Sequence, residues 1–206
     1  MKNFTILNLK SLPVFLGVCV LFFLWSPIEG TVIRNFDLYF GDKLKNSDDM
    51  DTVKWAIRRY GNKSHEKFKY YVFRAAELGD ANYQHVYGDI LIDEMNSKEG
   101  IEWLTRAAEQ GWKYSAIQLG KIYDEGEFVE ANYKKAKKYF EQAANSGLLS
   151  AKLKLAEYYA NGLGGSVDIE LALRLLSDPA IQKNPIYNEK AVALKELILK
   201  RSGAER

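Results

Sequence analysis

Few side chains in this chain are of a type that carries out chemistry. The 206 residues include two histidines, His65 and His85, and a single cysteine, Cys19. These three residues form no metal-ligand spacing with one another. His65 follows Ser64, a predicted helix N-cap, and is interpreted as a solvated first-turn residue. His85 is interpreted as an interface or helix-surface residue rather than a ligand or a general base. The sequence therefore predicts no catalytic residue and no metal site.

Paired carboxylates are the second kind of candidate, because two of them can cleave a glycoside when they flank its bond. Such pairs occur at Asp93-Glu94 and Asp124-Glu125. Adjacent residues on a helix point about 100° apart, so neither pair can converge on one bond. We interpret both pairs as solvated helix ends. The prediction is a protein that is not an enzyme and uses no cofactor.

The elements that position these residues are repeats. Each copy is marked by two alanines and a glycine three residues after the second alanine, at Ala75–Gly79, Ala107–Gly111 and Ala143–Gly147. The closing glycines are 32 residues (79 to 111) and 36 residues (111 to 147) apart, which is a period typical of helix-pair solenoids. A degraded fourth copy ends at Pro179-Ala180.

Further positions recur after each signature with helical spacing. Four, eight, nine and twelve residues past the three glycines lie Tyr83, Tyr87, Gly88 and Leu91, then Ser115, Leu119, Gly120 and Tyr123, then Ala151, Leu155, Ala156 and Tyr159. This spacing predicts the first helix of a pair, with a Gly/Ala column that lets a neighbouring helix approach closely. A second helix follows, in which large residues form a core column with small residues three positions earlier: Trp103 after Gly100, Tyr139 after Ala136 and Leu175 after Ala172. Tyr71 begins the same column.

These residues carry a family resemblance. The run Tyr123, Gly126, Val129, Asn132, Tyr133, Ala136 and Tyr139, closed by Ala143-Ala144 and Gly147, resembles a complete Sel-one-like repeat (SLR), a relative of the tetratricopeptide repeat. The copy from Tyr159 keeps Gly162, Gly165, Asp168 and Ala172, whereas the copy from Leu91 has lost the glycine loop through a four-residue deletion. The resemblance implies an all-α fold, a right-handed α-solenoid of about three SLR/TPR-like helix pairs with N- and C-terminal capping helices. It implies a protein-binding scaffold and no reaction.

Residues 1–30 lie outside the repeats and have the layout of an export leader. Lys2 and Lys10 precede residues 11–25, which carry no charge, and a basic start before an apolar stretch is typical of a signal peptide. The run is short for a bilayer span, so a cleaved signal peptide and an uncleaved membrane anchor both stay open. In either case we expect the repeats in the periplasm, free or anchored to the inner membrane and facing it. Cys19 is interpreted as a small hydrophobe rather than a lipid-attachment site.

The chain divides into four predicted segments. They are a signal peptide or N-terminal membrane anchor over 1–30, a divergent helical cap over 31–63, the repeat solenoid over 64–180 and a C-terminal capping helix within 181–206. In the cap, Val53 to Tyr60 are spaced as one helix that stops at Gly61. The formal net charge is only +2, which gives no concentrated basic surface for nucleic acid.

Besides the core columns, the first helices of the pairs carry a second stripe of residues, which is the predicted partner-binding face. The predicted binding residues are Asn82, His85, Asp89, Asp93, Tyr114, Lys121, Asp124 and Glu157, which belong to stripes with spacings of three and four along each helix. In related solenoids this face is concave. We expect its acidic residues to complement a basic patch on a protein partner. Trp112 is interpreted either as an exposed anchor at the rim or as a residue packed on the preceding repeat. The alternative binding surface is the outer face of the second helices.

The resemblance also suggests a narrower function. Small exported SLR proteins include immunity proteins that neutralise toxins delivered to the bacterial periplasm, some of them phospholipases. We therefore expect an exported interaction scaffold whose partner is a toxin or an envelope enzyme. The alternatives are an adaptor for envelope assembly or regulation, and a glycan or lipid hydrolase, which the shortage of catalytic residues disfavours.

Overall fold

The computed structural model describes residues 47–61 and 64–203, which form α-helices and no strand. The helices are α1 (Met50–Tyr60), α2 (His65–Glu77), α3 (Ala81–Asp93), α4 (Ser97–Glu109), α5 (Lys113–Glu125), α6 (Tyr133–Asn145), α7 (Leu149–Asn161), α8 (Ile169–Leu176), α9 (Pro179–Gln182) and α10 (Pro185–Ser202). The predicted leader and the first part of the predicted cap lie outside the described residues. Chain contacts divide the protein into two compact units, Met1–Tyr71 and Val72–Arg206.

In the first unit, α1 confirms the predicted helix that stops at Gly61. The side chain of Asp49 accepts a hydrogen bond from the backbone N–H of Thr52 at 2.9 Å and so caps the N-terminus. The buried ring of Tyr60 stacks on Tyr71 with centroids 5.6 Å apart. Ser64 caps α2 in the same way as Asp49 caps α1, since its Oγ accepts from the backbone N–H of Lys67 at 3.4 Å.

The second unit consists of helix pairs, which confirms the predicted all-α solenoid. Each first helix (α3, α5, α7) packs on the second helix that follows it (α4, α6, α8), and α4 and α6 also pack on the next first helix. The core therefore runs continuously from pair to pair. At its C-terminal end α10 packs on α7 and α8. None of the described helices combines the length and the apolar character that a membrane span needs.

The repeated signature forms the turn between one pair and the next. Gly79, Gly111 and Gly147 have φ of +94°, +87° and +82°, a left-handed conformation that glycine adopts without steric cost. At the second copy, the N–H of Gly111 bonds to the carbonyl of Ala108 at 2.8 Å and that of Trp112 bonds to Ala107 at 3.0 Å. The same two bonds recur at the other copies. This pattern is a Schellman motif, which satisfies carbonyls at a helix end.

The turn within the first pair is shorter than its counterparts, as the four-residue deletion predicts. Residues 94–96 connect α3 to α4, whereas 126–132 connect α5 to α6. Where the later pairs place Gly126 and Gly162 in the left-handed region, the first pair places Met95, with φ of +64°. Met95 is therefore a non-glycine residue held in a conformation that disfavours side chains.

The small-residue columns let neighbouring helices approach closely, as predicted: backbone meets backbone at Gly88 and Gly100, and the ring of Phe140 lies against Gly120. A Cβ added at Gly100 would lie 2.7 Å from the carbonyl oxygen of Gly88, and one at Gly120 would lie 2.5 Å from Cε1 of Phe140. Neither distance leaves room for a methyl group. The pairs α3–α4 and α5–α6 thus depend on glycine for their spacing.

The column of large residues is confirmed for Tyr71 and Trp103, which are buried, but Tyr139 is only half-buried. Its ring stacks on Tyr123 with centroids 5.8 Å apart. The next residue, Phe140, is fully buried and belongs to the central core cluster. Helix α6 is therefore rotated so that Phe140, rather than Tyr139, fills the space beside Gly120.

The C-terminal helix α10 begins at Pro185, within the segment 181–206 that was predicted to contain it. The side chain of Asn184 caps α10 by accepting from the backbone N–H of Tyr187 at 3.3 Å. The apolar residues Val192, Leu194, Leu197 and Ile198 of this helix do not share one environment. Ile198 is buried, whereas Val192 and Leu197 remain 48% and 44% exposed. The helix therefore presents apolar side chains to solvent as well as to the core.

Candidate functional site

The predicted binding residues lie on neighbouring first helices that are joined by side-chain hydrogen bonds. We call the surface formed by Asn82, His85, Asp89, Asp93, Tyr114, Lys121, Asp124 and Glu157 the first-helix face. His85 Nδ1 and Ser115 Oγ lie 3.1 Å apart, which connects α3 to α5. The amide of Gln118 donates to Asp89 Oδ1 at 2.6 Å and connects the same helices. The structure thus brings the α3 and α5 parts of the predicted set together.

His85 is the titratable centre of this contact. Its Nε2 lies 3.6 Å from Asp89 Oδ2, and its ring lies 6.5 Å from that of Tyr114 between centroids. Burial lowers the pKa of His85 below its usual value, and the nearby carboxylate of Asp89 opposes this in part. The neutral imidazole, which can act as donor or acceptor toward Ser115, is therefore favoured in the folded protein.

This depressed pKa predicts how stability depends on pH. The unfolded chain keeps a histidine pKa of about 6.5, so below that pH the unfolded state binds more protons than the folded one at this residue. The contribution of His85 is complete above pH 6.5 and is lost as the pH falls toward the lower folded pKa. We expect the urea midpoint to drop between pH 7.5 and pH 5, and to drop less in His85→Gln. An equal drop in both proteins would assign the effect to other groups.

Asp124 links α5 to α7. The hydroxyl of Tyr158 donates to Asp124 Oδ1 at 2.5 Å, and Lys154 Nζ lies 3.3 Å from Asp124 Oδ2 and 3.2 Å from a carboxylate oxygen of Glu157. Burial raises the pKa of Tyr158, and the hydrogen bond to Asp124 raises it further. Asp124 is therefore not a solvated helix end, as the sequence suggested. It is a half-buried carboxylate with two partners, which avoids the cost of burying an unpaired charge.

The remaining predicted residues differ in exposure. Asn82, Asp93 and Lys121 are exposed, and Tyr114 is 47% exposed. Trp112 occupies the N-cap position of α5 and is half-buried, with its ring 5.8 Å from that of Tyr114. Its indole Nε1 is buried and has no hydrogen-bond acceptor among the described residues. The more exposed aromatic on this surface is therefore Tyr114.

Leu153 of α7 lies four residues before Glu157, at the spacing of the same stripe, but it is buried in the C-terminal core cluster. The stripe on α7 is therefore interrupted, and Glu157 is its main polar member.

Glutamines connect the repeats in a way that the sequence analysis missed. The amide of Gln84 donates to the carbonyl of Ala76 at 3.1 Å, and that of Gln110 donates to Gln84 Oε1 at 2.6 Å. Gln142 donates in the same manner to the carbonyl of Ala108. The amides of Gln84 and Gln142 satisfy carbonyls at the helix ends where the signature turns lie, whereas that of Gln110 binds the side chain of Gln84. Gln84, Gln110 and Gln142 do not share one repeat position, so no periodic signal indicated them.

Among the described residues no cluster of His, Cys, Asp and Glu side chains could hold a metal ion. Three polar side chains of the first-helix face, His85, Asp89 and Asp124, bond to residues of the neighbouring first helix. Their arrangement suits the recognition of another surface, since rigid helices hold the groups in fixed positions. The fold and this face together define a helical-repeat scaffold.

Comparison with known proteins assigns the family. A model of the Sel1 repeat matches residues 75–112, 113–148 and 149–177, which together make up half of the chain. The chain belongs to the Sel1 repeat family. Proteins of this family act as scaffolds for protein–protein interaction.

Solved structures of repeat proteins are similar to this chain, and two of them show the extent of the similarity. A Sel1 repeat protein from Oxalobacter formigenes is 28% identical with a TM-score of 0.54, over 59% of this chain and 95% of that one. The protein c5321, a protective antigen present in uropathogenic Escherichia coli strains that displays an SLR fold, is 20% identical with a TM-score of 0.58. That match covers 90% of this chain but only 44% of c5321, and it shows the fold alone. No curated protein sequence matches the chain significantly.

Proposed function

We propose that this protein binds a protein partner through the first-helix face. The observation that carries the proposal is the set of side-chain bonds that fixes α3, α5 and α7 side by side while Tyr114, Asp93 and Lys121 stay exposed. Because the helices are already held in register, binding would cost little conformational entropy. Tyr114 supplies the kind of aromatic side chain that dominates binding energy at interfaces.

The charges on this face indicate what the partner offers. Lys154 lies between Asp124 and Glu157 and compensates part of their charge. On α3, Asp93 is exposed and Asp89 is half-exposed beside a histidine that burial keeps mostly neutral. Among the described residues, the carboxylates of this face that have no lysine or arginine partner therefore lie on α3. The proposed partner carries a basic patch opposite this helix and an apolar pocket for Tyr114.

The test uses the full-length chain with a photo-crosslinking amino acid in place of Tyr114. After irradiation of cells and fractionation, the adduct identifies the partner, and its affinity for the purified repeat protein is then measured by calorimetry. The double variant Tyr114→Ala, Asp93→Lys is expected to weaken binding by about 30-fold or more, since hot-spot residues each contribute about 2 kcal/mol. Neither residue makes an inter-helix hydrogen bond in the described structure, unlike Asp89 and Asp124, so the fold should survive the change.

A matched control reverses two exposed charges on the second helix α6, Lys134→Glu with Lys138→Glu. It is expected to bind within about threefold of the wild type, as surface charges outside an interface do. If the control loses binding and the first variant keeps it, the outer face of the second helices is the site.

The same experiment addresses location and partner type. We propose that the repeats act outside the cytoplasm, in the periplasm or on an inner-membrane anchor, because Lys2 and Lys10 precede an uncharged run. Within that compartment the narrower hypothesis is an immunity protein that neutralises a toxin such as a secreted phospholipase. A toxin crosslinked in the periplasmic or membrane fraction supports it. A component of envelope assembly would favour the adaptor alternative, and an adduct confined to the cytosol would contradict export.

A further inference from the structure

An apolar cleft lies at the C-terminal end of the solenoid. It has a volume of about 400 Å³ and is formed by α7, the segment leading into α8, and α10. Its walls are mainly apolar: Ala160, Val167, Ile169, Leu194, Leu197 and Ile198. The volume falls within the range of about 300–1,000 Å³ that is usual for ligand sites. The cleft is therefore large enough for a bulky side chain.

Two of the apolar residues that line this cleft are exposed to solvent. Val167 is 60% exposed and Leu197 is 44% exposed. Leu197 lies on α10, one residue before the buried Ile198. Covering such side chains would remove apolar area from water, which is favourable by roughly 25 cal/mol per Å² before the costs of association. The cleft thus offers an apolar contact that the described chain leaves unused.

The mouth of the cleft carries polar groups. Glu157 belongs to the first-helix face and is paired with Lys154 at 3.2 Å. Arg201 Nη1 donates to Asn161 Oδ1 at 3.3 Å. In the part of the chain that the structure describes, no carboxylate lies within ion-pair distance of Arg201. Among the described residues, the guanidinium of Arg201 therefore has no carboxylate partner, and a guanidinium binds carboxylates well.

We propose that this cleft is an anchor subsite for the partner polypeptide. A leucine, isoleucine or phenylalanine side chain enters between α7 and α10, and a neighbouring carboxylate, from Asp, Glu or a chain terminus, binds Arg201. The inference rests on the proposed protein-binding function and extends it. Its support is the charge of Arg201 above an apolar cleft, and the continuity of the cleft with the first-helix face through Glu157.

A random-peptide display library provides the probe. Peptides selected on the wild-type repeat protein are expected to share a large apolar residue within two positions of an acidic one. Leu197→Lys places a long cation in the cleft and should weaken these peptides by at least tenfold. Val192→Lys is the matched control, since Val192 lies on the same helix with similar exposure but does not line the cleft. It should leave their affinity within about twofold. Peptides selected on the Arg201→Gln variant should still share the large apolar residue but should no longer share the acidic one.

Each outcome decides the proposal. Selection of no peptide, or peptides that bind Leu197→Lys and the wild type equally, overturns the anchor subsite. In the second case, peptides weakened by the Tyr114→Ala, Asp93→Lys variant would still support the first-helix face. Peptides that lose binding only with Leu197→Lys support the cleft but count against that face. If dodecanoate, which combines an apolar chain with a carboxylate, binds at the cleft while no peptide does, the site is for a small amphiphile and the proposal is wrong. Thermal melts of all variants test whether a loss of peptide binding comes from loss of folding.

Discussion

Replacing Gly100 with valine is expected to lower the free energy of unfolding by about 3 kcal/mol or more. Any Cβ at this position would lie 2.7 Å from the backbone carbonyl oxygen of Gly88 and 2.7 Å from Cγ1 of Ile92. Overpacking of a core costs about 1–3 kcal/mol when side chains can shift, but here the obstacle includes backbone, so helices α3 and α4 must separate. Urea denaturation followed by circular dichroism at 222 nm measures the change.

The control for this substitution is Gly111→Ala. A Cβ at Gly111 would have no atom within 4 Å, so only its positive φ of +87° opposes a side chain. That conformation costs roughly 1–2 kcal/mol for a residue other than glycine. If Gly100→Val costs no more than Gly111→Ala, then the helices are not held at the distance that the structure describes.

Truncating Phe140 to alanine should destabilise the protein by about 3–5 kcal/mol, the usual cost of removing a buried phenylalanine ring. Phe140 has no exposed surface, contacts Gly120, and packs edge-on against Tyr158 with ring centroids 5.2 Å apart. Its loss would leave a cavity where α5, α6 and α7 meet. The measurement is again the free energy of unfolding from urea titration.

Tyr139→Ala serves as the comparison, because the repeat pattern predicted Tyr139 as the core residue and the structure leaves it half-buried. Its cost should be less than half that of Phe140→Ala, since less apolar surface leaves contact. A larger effect at Tyr139 would show that α6 is rotated toward the arrangement expected from the sequence.

The repeated elements of this fold were predictable because each depends on a local steric requirement. A glycine with positive φ must close each signature turn, and Gly100 must be small where two backbones meet. Such requirements recur at fixed spacing, so the sequence alone indicates them. The same logic located the end of α1 at Gly61 and the cap at Ser64.

The candidate site was less predictable because its contacts are not periodic. Spacing placed Asp89 and Asp124 on the right helices but did not indicate that Gln118 and Tyr158 would bond to them. Those partners are about 30 residues away in sequence and occur once each, so no column reveals them. The one-residue shift from Tyr139 to Phe140 has a similar origin, since helical spacing fixes a face only to within one neighbouring position.

The signature turns between pairs bear on how the length of such a chain can change. Each turn closes through hydrogen bonds among six consecutive residues, such as Ala107 to Trp112, so its geometry does not depend on what lies elsewhere in the chain. A gene segment encoding one 36-residue unit (111 to 147) could therefore be duplicated or deleted at Gly111 or Gly147 with the junction intact. The hydrogen bonds that occur only once in the chain would not survive such a duplication or deletion in the same way. The bond between His85 and Ser115 joins α3 to α5, and the bond between Asp124 and Tyr158 joins α5 to α7. Each bond needs its own partner in the next repeat, so these bonds fix the order of the repeats.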